Sequence, residues 1–204
     1  MKKVVVMLLC MTVCGATVFA QSGLFSVGGG AILAPNFRIM KYKGGVENNS
    51  SSFGGGFNLF FDATYAEANI SFLFANEKAE GADKGTDTTN LLIGIVGKYP
   101  LALGEQFSVF PFAGIDYRIV LGASYDGNKI EDSDAIDVIA EGLNALSLIF
   151  GVGVDYSLTS ALYFRGEIGF GITFNSKFED DMKDFIDSNF KGKIPIKLAV
   201  GYRF

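Results

Sequence analysis

The chain has 204 residues and a formal net charge of −5, and hydrophobic residues make up 49% of it. The complete absence of histidine excludes Ser–His nucleophiles and His–metal sites, and no other catalytic constellation is recognisable. No basic patch interleaved with aromatic residues indicates a nucleic-acid partner. We therefore expect no enzymatic activity, no cofactor, no metal site and no nucleic-acid binding.

The first twenty residues have the features of a secretory signal peptide. Two lysines follow Met1, the stretch from Val4 to Val13 is mostly apolar, and small residues precede a cleavage position after Ala20. A lipid-modified cysteine is the alternative, but the residues before both cysteines are larger than such sites usually have. We predict a signal peptide over 1–20 and a single domain over 21–204, which then contains no cysteine.

The rest of the chain alternates apolar with small or polar residues, the pattern of β-strands. No stretch after the first twenty residues is continuously apolar for long enough to form a membrane helix. The predicted strands span 24–34, 53–62, 66–75, 90–99, 109–121, 146–156, 162–174 and 194–204. Long polar loops at 35–52, 76–89, 122–144 and 175–193 alternate with short turns, and Pro35 is expected to end the first strand. This order predicts an all-β fold, an eight-stranded antiparallel up-and-down barrel.

The distribution of charge indicates which face of each strand points outward. From the second predicted strand onward, one face has no charged or amide side chain. The opposite face carries Asp62, Glu67, Lys98, Asp116, Arg118, Asp155, Arg165, Glu167, Lys197 and Arg203. The interior of an eight-stranded barrel is only wide enough for side chains to fill it, so it could not hold the many phenylalanines of the apolar face. We therefore predict that the apolar face contacts lipid and that the charges pair inside the barrel.

The last strand carries a second signal. Leu198, Val200, Tyr202 and Phe204 share one face, and the chain ends at Phe204. This strand resembles the C-terminal sorting signal of bacterial outer-membrane β-barrels, and the whole region 21–204 resembles small barrels of the OmpA transmembrane-domain, OmpX and OmpW kinds. The resemblance implies an outer-membrane location in a Gram-negative-type envelope and recognition of the last strand by the barrel-assembly machinery. An even number of strands would place both termini in the periplasm.

The predicted interior leaves two functions open. An ion-pair network among the ten inward charges would plug the lumen, which favours a role in envelope structure or in surface interaction through the external loops. The alternative is a narrow channel for small solutes, hydrophobic ones among them, because inward glycines could leave space in the upper lumen near Leu73, Leu92, Val120 and Ile149. Tyr99, Tyr156, Tyr202 and Phe204 are expected to form an aromatic girdle at the membrane boundary.

Two of the loops contain a helical spacing of apolar residues. It is clear at Phe178, Met182, Phe185, Ile186 and Phe190, and weaker at Ala135, Ile136, Ile139 and Leu143. We expect either a short helix over the barrel mouth, a helix that rests on the outer leaflet, or a docking surface. The loops 122–144 and 175–193 are therefore the predicted sites for an extracellular partner.

Overall fold

The computed structural model describes residues 25–45, 47–79, 85–125, 128–129, 144–174 and 186–204. These residues form β1 (Ser26–Tyr42), β2 (Glu47–Asp62), β3 (Ala66–Ala79), β4 (Thr86–Lys98), β5 (Leu101–Ala102), β6 (Phe107–Tyr125), β7 (Asn128–Lys129), β8 (Ala145–Ser157), β9 (Leu162–Phe174), β10 (Ile186–Lys193) and β11 (Ile196–Arg203). Within these ranges, the structure contains no helix with the length and hydrophobicity needed to cross a membrane.

The strands close into a ring. β1 pairs antiparallel with β2 on one side and with β10 and β11 on the other, and every remaining long strand pairs with its neighbours in chain order. β10 and β11 are two halves of one barrel strand, interrupted at Ile194 and Pro195, while the two-residue strands β5 and β7 only extend the sheet beside β6. In the described part of the chain the wall therefore has eight strands, which confirms the predicted fold class.

Burial alternates along the strands, so each strand has one buried and one exposed face. On β2, Phe57 and Leu59 are 67% and 61% exposed, whereas Asn58 and Phe60 between them are 1% and 5% exposed. The buried side chains point into the barrel, because the side chains of a strand alternate between its two faces. Large apolar residues cover the outside, in far greater number than the surface of a water-soluble monomer carries.

The strands extend further than the sequence predicted, most clearly in the first hairpin. Pro35 does not end β1, which continues to Tyr42 and pairs with β2 from Glu47, so the predicted loop 35–52 is wrong. Proline lacks an N–H, but its carbonyl accepts a bond from Ile194, on the side where the neighbouring strand is itself interrupted. The sheet therefore tolerates Pro35.

The other predicted loops are also shorter than expected. β3 runs to Ala79, β4 begins at Thr86 and β6 runs to Tyr125. In the predicted loop 175–193, residues 186–193 form β10, so the C-terminal end of the predicted helix is strand instead. The other positions with helical spacing, at 135–143 and 178–185, lie outside the described residues. These extensions were not predicted because polar side chains interrupt the apolar alternation there. A strand above the apolar belt no longer needs an apolar face.

A charge placed on the outer face tests the assignment of that face to lipid. Phe57 lies near the middle of β2, and Phe53 lies on the same face about 13 Å closer to the long loops. We expect Phe57→Arg to lower the free energy of unfolding in lipid vesicles by about 2–4 kcal/mol and Phe53→Arg by about 0–1 kcal/mol, because the cost depends on depth in the bilayer. Denaturant titration in vesicles measures both, and equal costs would contradict the assignment.

Candidate functional site

Arg165 lies in the lumen at the end of the barrel that carries the short turns. It points inward from β9, and its side chain is only 2% exposed. Nη2 donates a hydrogen bond to Asp62 (2.7 Å), Nη1 donates one to Glu67 (2.6 Å), and Nε and Nη2 donate to Asp155 (2.7 and 2.8 Å). The guanidinium is a planar fork of N–H donors that suits carboxylates. A single side chain therefore joins β9 to its neighbour β8 along the wall and to β2 and β3 across the lumen.

Aromatic rings complete the surroundings of Arg165. Its Cζ lies 4.7 Å from the ring centre of Phe60, 5.0 Å from that of Phe110 and 5.2 Å from that of Tyr163. Each distance is within the range in which a ring face attracts a cation. Tyr163 is fully buried, and its hydroxyl lies 2.7 Å from Ser26 Oγ. The guanidinium is therefore held by carboxylates and by three ring faces.

Each of the three rings lies over a glycine of the adjacent strand. The directly paired positions are Phe60–Gly28, Phe110–Gly153 and Tyr163–Gly201. A Cβ atom at any of these glycines would lie 2.2 to 2.3 Å from an atom of the ring. The glycines thus leave room for rings that lie flat against the wall, and the space in front of the rings is occupied by Arg165.

Seven further charged residues surround or adjoin Arg165 near the short turns. We call the following group the lower cluster: Asp62, Glu67, Lys98, Asp155, Arg165, Glu167, Lys197 and Arg203. Lys98 donates to Asp62, Lys197 Nζ lies 3.1 Å from Glu167, and Arg203 lies 3.8 Å from Asp155. These residues comprise four acids and four bases, so the lower cluster is electrically neutral as a group.

Two of the ten predicted network residues lie apart from the lower cluster. Asp116 accepts a hydrogen bond from Lys193, and Arg118 lies 3.6 Å from Glu77 at the rim. The sequence analysis missed Lys193 and Glu77, because it placed both of them in loops. The sequence did contain an indication of this. Lys191, Lys193 and Lys197 all occupy odd-numbered positions, as residues on one face of a strand do, although Pro195 interrupts the strand between Lys193 and Lys197.

The upper lumen is apolar in part but has little free volume. Leu73, Leu92, Val120 and Ile149 point inward as expected and are 5%, 8%, 7% and 3% exposed. The cavity lined by Leu73, Leu92 and Ile149 measures about 40 Å³. Pockets for small organic ligands have volumes of about 300–1,000 Å³, so this cavity is much smaller than such a pocket.

Aromatic side chains surround the barrel near the short turns. The four predicted girdle residues are joined there by Tyr65 and Phe107, which the sequence analysis did not single out. The ring pairs are Tyr65–Tyr99, Phe107–Tyr156 and Tyr202–Phe204, with centroids 6.3, 4.9 and 5.5 Å apart. Tyr99 and Tyr202 are 61% and 50% exposed, so these rings face outward. Amphipathic rings in this position are typical of a membrane–water boundary.

Neither the geometry nor the composition indicates a metal site. Among the described residues, no group of three or more His, Cys, Asp or Glu side chains is arranged to hold a metal ion. The carboxylates of the lower cluster are instead occupied by Arg165, Lys98, Lys197 and Arg203.

The barrel wall, its apolar exterior and its charged interior define an outer-membrane β-barrel. The model of the outer membrane protein β-barrel domain matches residues 6–204, so the chain belongs to this family. A comparison with curated proteins returned no match.

Solved outer-membrane barrels share this fold at low sequence identity. Neisserial surface protein A is 13% identical with a TM-score of 0.50, and the match covers 90% of this chain and 98% of that one. A major outer membrane protein of Thermus thermophilus is 16% identical, with a TM-score of 0.48 and coverage of 85% and 99%. The N-terminal barrel of Pseudomonas aeruginosa OprF is 12% identical, with a TM-score of 0.36 and coverage of 87% and 99%. The similarity to neisserial surface protein A indicates the fold alone.

Removing Arg165 tests how strongly the lower cluster depends on it. Arg165→Ala leaves Glu67 and Asp155 without their main partner inside the barrel and removes one of the two partners of Asp62, so we expect the free energy of unfolding to fall by about 3–5 kcal/mol. The control is Lys41→Ala at the rim, where Lys41 and Glu47 are 2.7 Å apart and 49% and 51% exposed. Its expected cost is about 0–1 kcal/mol. Denaturant titration compares the two, and similar losses would show that burial does not strengthen the Arg165 contacts.

Proposed function

We propose that this protein is a sealed outer-membrane barrel that acts in envelope structure or in surface interaction through its long external loops, and that it does not transport solutes or catalyse a reaction. The observation that carries the proposal is the lower cluster. Arg165 and its carboxylates span the lumen from four strands. Membership of the outer membrane protein β-barrel family supports the membrane location.

Charge balance supports a lumen that stays closed at rest. A narrow passage lined by charges of one sign would attract counter-ions, whereas each charge of the lower cluster has an opposite charge within 4.0 Å. Separating such a buried pair exposes both charges to an environment that solvates them poorly, which is costly. The cavity above the cluster measures only about 40 Å³.

If the lumen is closed, the long loops are the part of the molecule that contacts other molecules. β1, β2 and β6 continue past the apolar belt with polar residues such as Ser50, Ser51 and Ser52, so the barrel projects above the membrane on that side. The residues 126–127, 130–143 and 175–185 join the projecting strands, and we propose that an extracellular partner contacts these segments. Their acidic composition favours a partner with a basic surface.

We also propose that β11 is the strand that the barrel-assembly machinery recognises. Its outward residues Leu198, Val200 and Tyr202 are 66%, 42% and 50% exposed, and Phe204 directly after it is 38% exposed, so the four residues form a continuous apolar surface on the wall. β11 pairs with β1, and this pairing is the one that closes the ring. We further propose that residues 1–20 are removed during export.

The sealed lumen predicts the electrical behaviour of the protein. Purified protein in a planar bilayer should give no discrete current steps, because the lower cluster closes the passage. A general porin reconstituted in the same way provides the positive control, and a gel-mobility shift on heating establishes that the sample is folded. Stable, reproducible conductance of the folded wild-type protein would defeat the proposed function.

The proposed topology predicts where proteases cut intact cells. Trypsin should cleave after Lys129 or Lys183, since both lie in the long connections that we place outside the cell. A variant with Lys129→Gln and Lys183→Gln should resist cleavage at these positions, which identifies the sites. Cleavage of the same bonds only after the outer membrane is broken would mean that the long connections face the periplasm and that the assigned sidedness is reversed.

A further inference from the structure

A second ion pair crosses the lumen above the lower cluster. Lys193 on β10 donates a hydrogen bond to Asp116 on β6, and the two side chains are 7% and 8% exposed. Two other barrel strands, β8 and β9, lie between β6 and β10 in the ring, so the contact passes through the interior and not along the wall. We call Asp116 and Lys193 the upper pair.

The upper pair lies at a different depth from the lower cluster. Lys193 and Lys197 project inward from the same barrel strand, four positions apart. At a rise of about 3.3 Å per residue, this separation is about 13 Å along the strand. Lys197 contacts Glu167 and Glu67 of the lower cluster, whereas Lys193 contacts Asp116. The upper pair thus forms a second, separately neutral layer nearer the long loops.

A small cavity adjoins both layers, and we call it the chamber. The cavity of about 40 Å³ is lined by Asp116 and Lys193 of the upper pair and by Glu167 and Lys197 of the lower cluster. This volume holds about three water molecules, since one water needs roughly 10–15 Å³.

The chamber wall also carries polar atoms without a protein partner. Asn69 Nδ2 and Asn90 Oδ1 are buried and have no hydrogen-bond partner among the described residues, and both side chains line the cavity. Buried polar groups of this kind are commonly satisfied by internal water. The chamber therefore has the chemistry of a hydrated compartment.

We propose that the lumen is closed twice in series, by the lower cluster and by the upper pair, with a hydrated chamber between them. This inference rests on the sealed-lumen function proposed above. Its consequence is that opening either layer alone does not create a conducting path, because the other layer still blocks the passage of water and small ions. The barrel thus isolates the two sides of the membrane even when one ion-pair layer is disrupted.

Conductance of matched variants tests the serial arrangement. Asp116→Ala with Lys193→Ala removes the upper pair, and Glu67→Ala with Arg165→Ala removes one acid and one base from the lower cluster, so both double variants keep the net charge of the lumen. We expect each double variant to remain at the wild-type baseline in a planar bilayer and the quadruple variant to show discrete current steps. All samples must first show the heat-dependent gel shift of a folded barrel.

The outcomes separate the inference from the proposed function. Conductance of the wild-type protein would defeat the proposed function. If the wild-type protein does not conduct but the lower double variant conducts as well as the quadruple variant, the upper pair is not a second closure. This result would overturn the further inference and leave the proposed function standing. A folded quadruple variant without conductance would also overturn it, because two closures in series would then not account for the block.

Thiol accessibility gives a second measurement that does not need the quadruple variant. Ser71 is 1% exposed and lines the chamber, so Ser71→Cys reports entry of a membrane-impermeant thiol reagent. Region 21–204 contains no other cysteine, so we expect no reaction from either side in the otherwise wild-type barrel. We expect reaction from the long-loop side only when the upper pair is removed, and from the short-turn side only in the lower double variant. Reaction from the long-loop side with the upper pair intact would overturn the proposal.

Discussion

The whole structure depends on one constraint: the outer face of the wall must be free of charge because it contacts hydrocarbon. A lipid-facing basic residue costs about 2–4 kcal/mol at the bilayer centre, so a strand that crosses the membrane can carry its charges on the inner face only. Strand alternation then sends every second side chain inward. In this chain the two rules together place Phe57 and Leu59 outside and Asn58 and Asp62 inside on a single strand.

The inner face has its own constraint, because eight strands enclose little space. Charges that enter this space must be neutralised there. The chain meets this requirement in layers: the lower cluster around Arg165 and the upper pair are each neutral by themselves. The rings of Phe60, Phe110 and Tyr163 fit beside Arg165 because each lies over a glycine of the next strand. The sealed lumen that we propose therefore depends on the size of the barrel as much as on its charges.

The alternating pattern was sufficient to predict an all-β barrel of eight strands. It was insufficient above the apolar belt, where β10 and the extensions of β1 and β6 have no apolar face to mark them. The contact partners across the lumen could not be predicted either. Which carboxylate meets Arg165, or which acid meets Lys193, depends on the stagger of the strands around the ring, and this stagger leaves no mark in the local pattern of any one strand.

Quenching of a single tryptophan by brominated lipid measures directly which face meets hydrocarbon. The chain contains no tryptophan, so each substitution provides one clean signal. Phe72 and Leu73 are adjacent on β3 at nearly equal depth, and they are 43% and 5% exposed. If lipid covers the apolar face, Phe72→Trp will be strongly quenched by lipid brominated in its acyl chains and Leu73→Trp will not. Equal quenching, or stronger quenching of Leu73→Trp, would contradict the central claim.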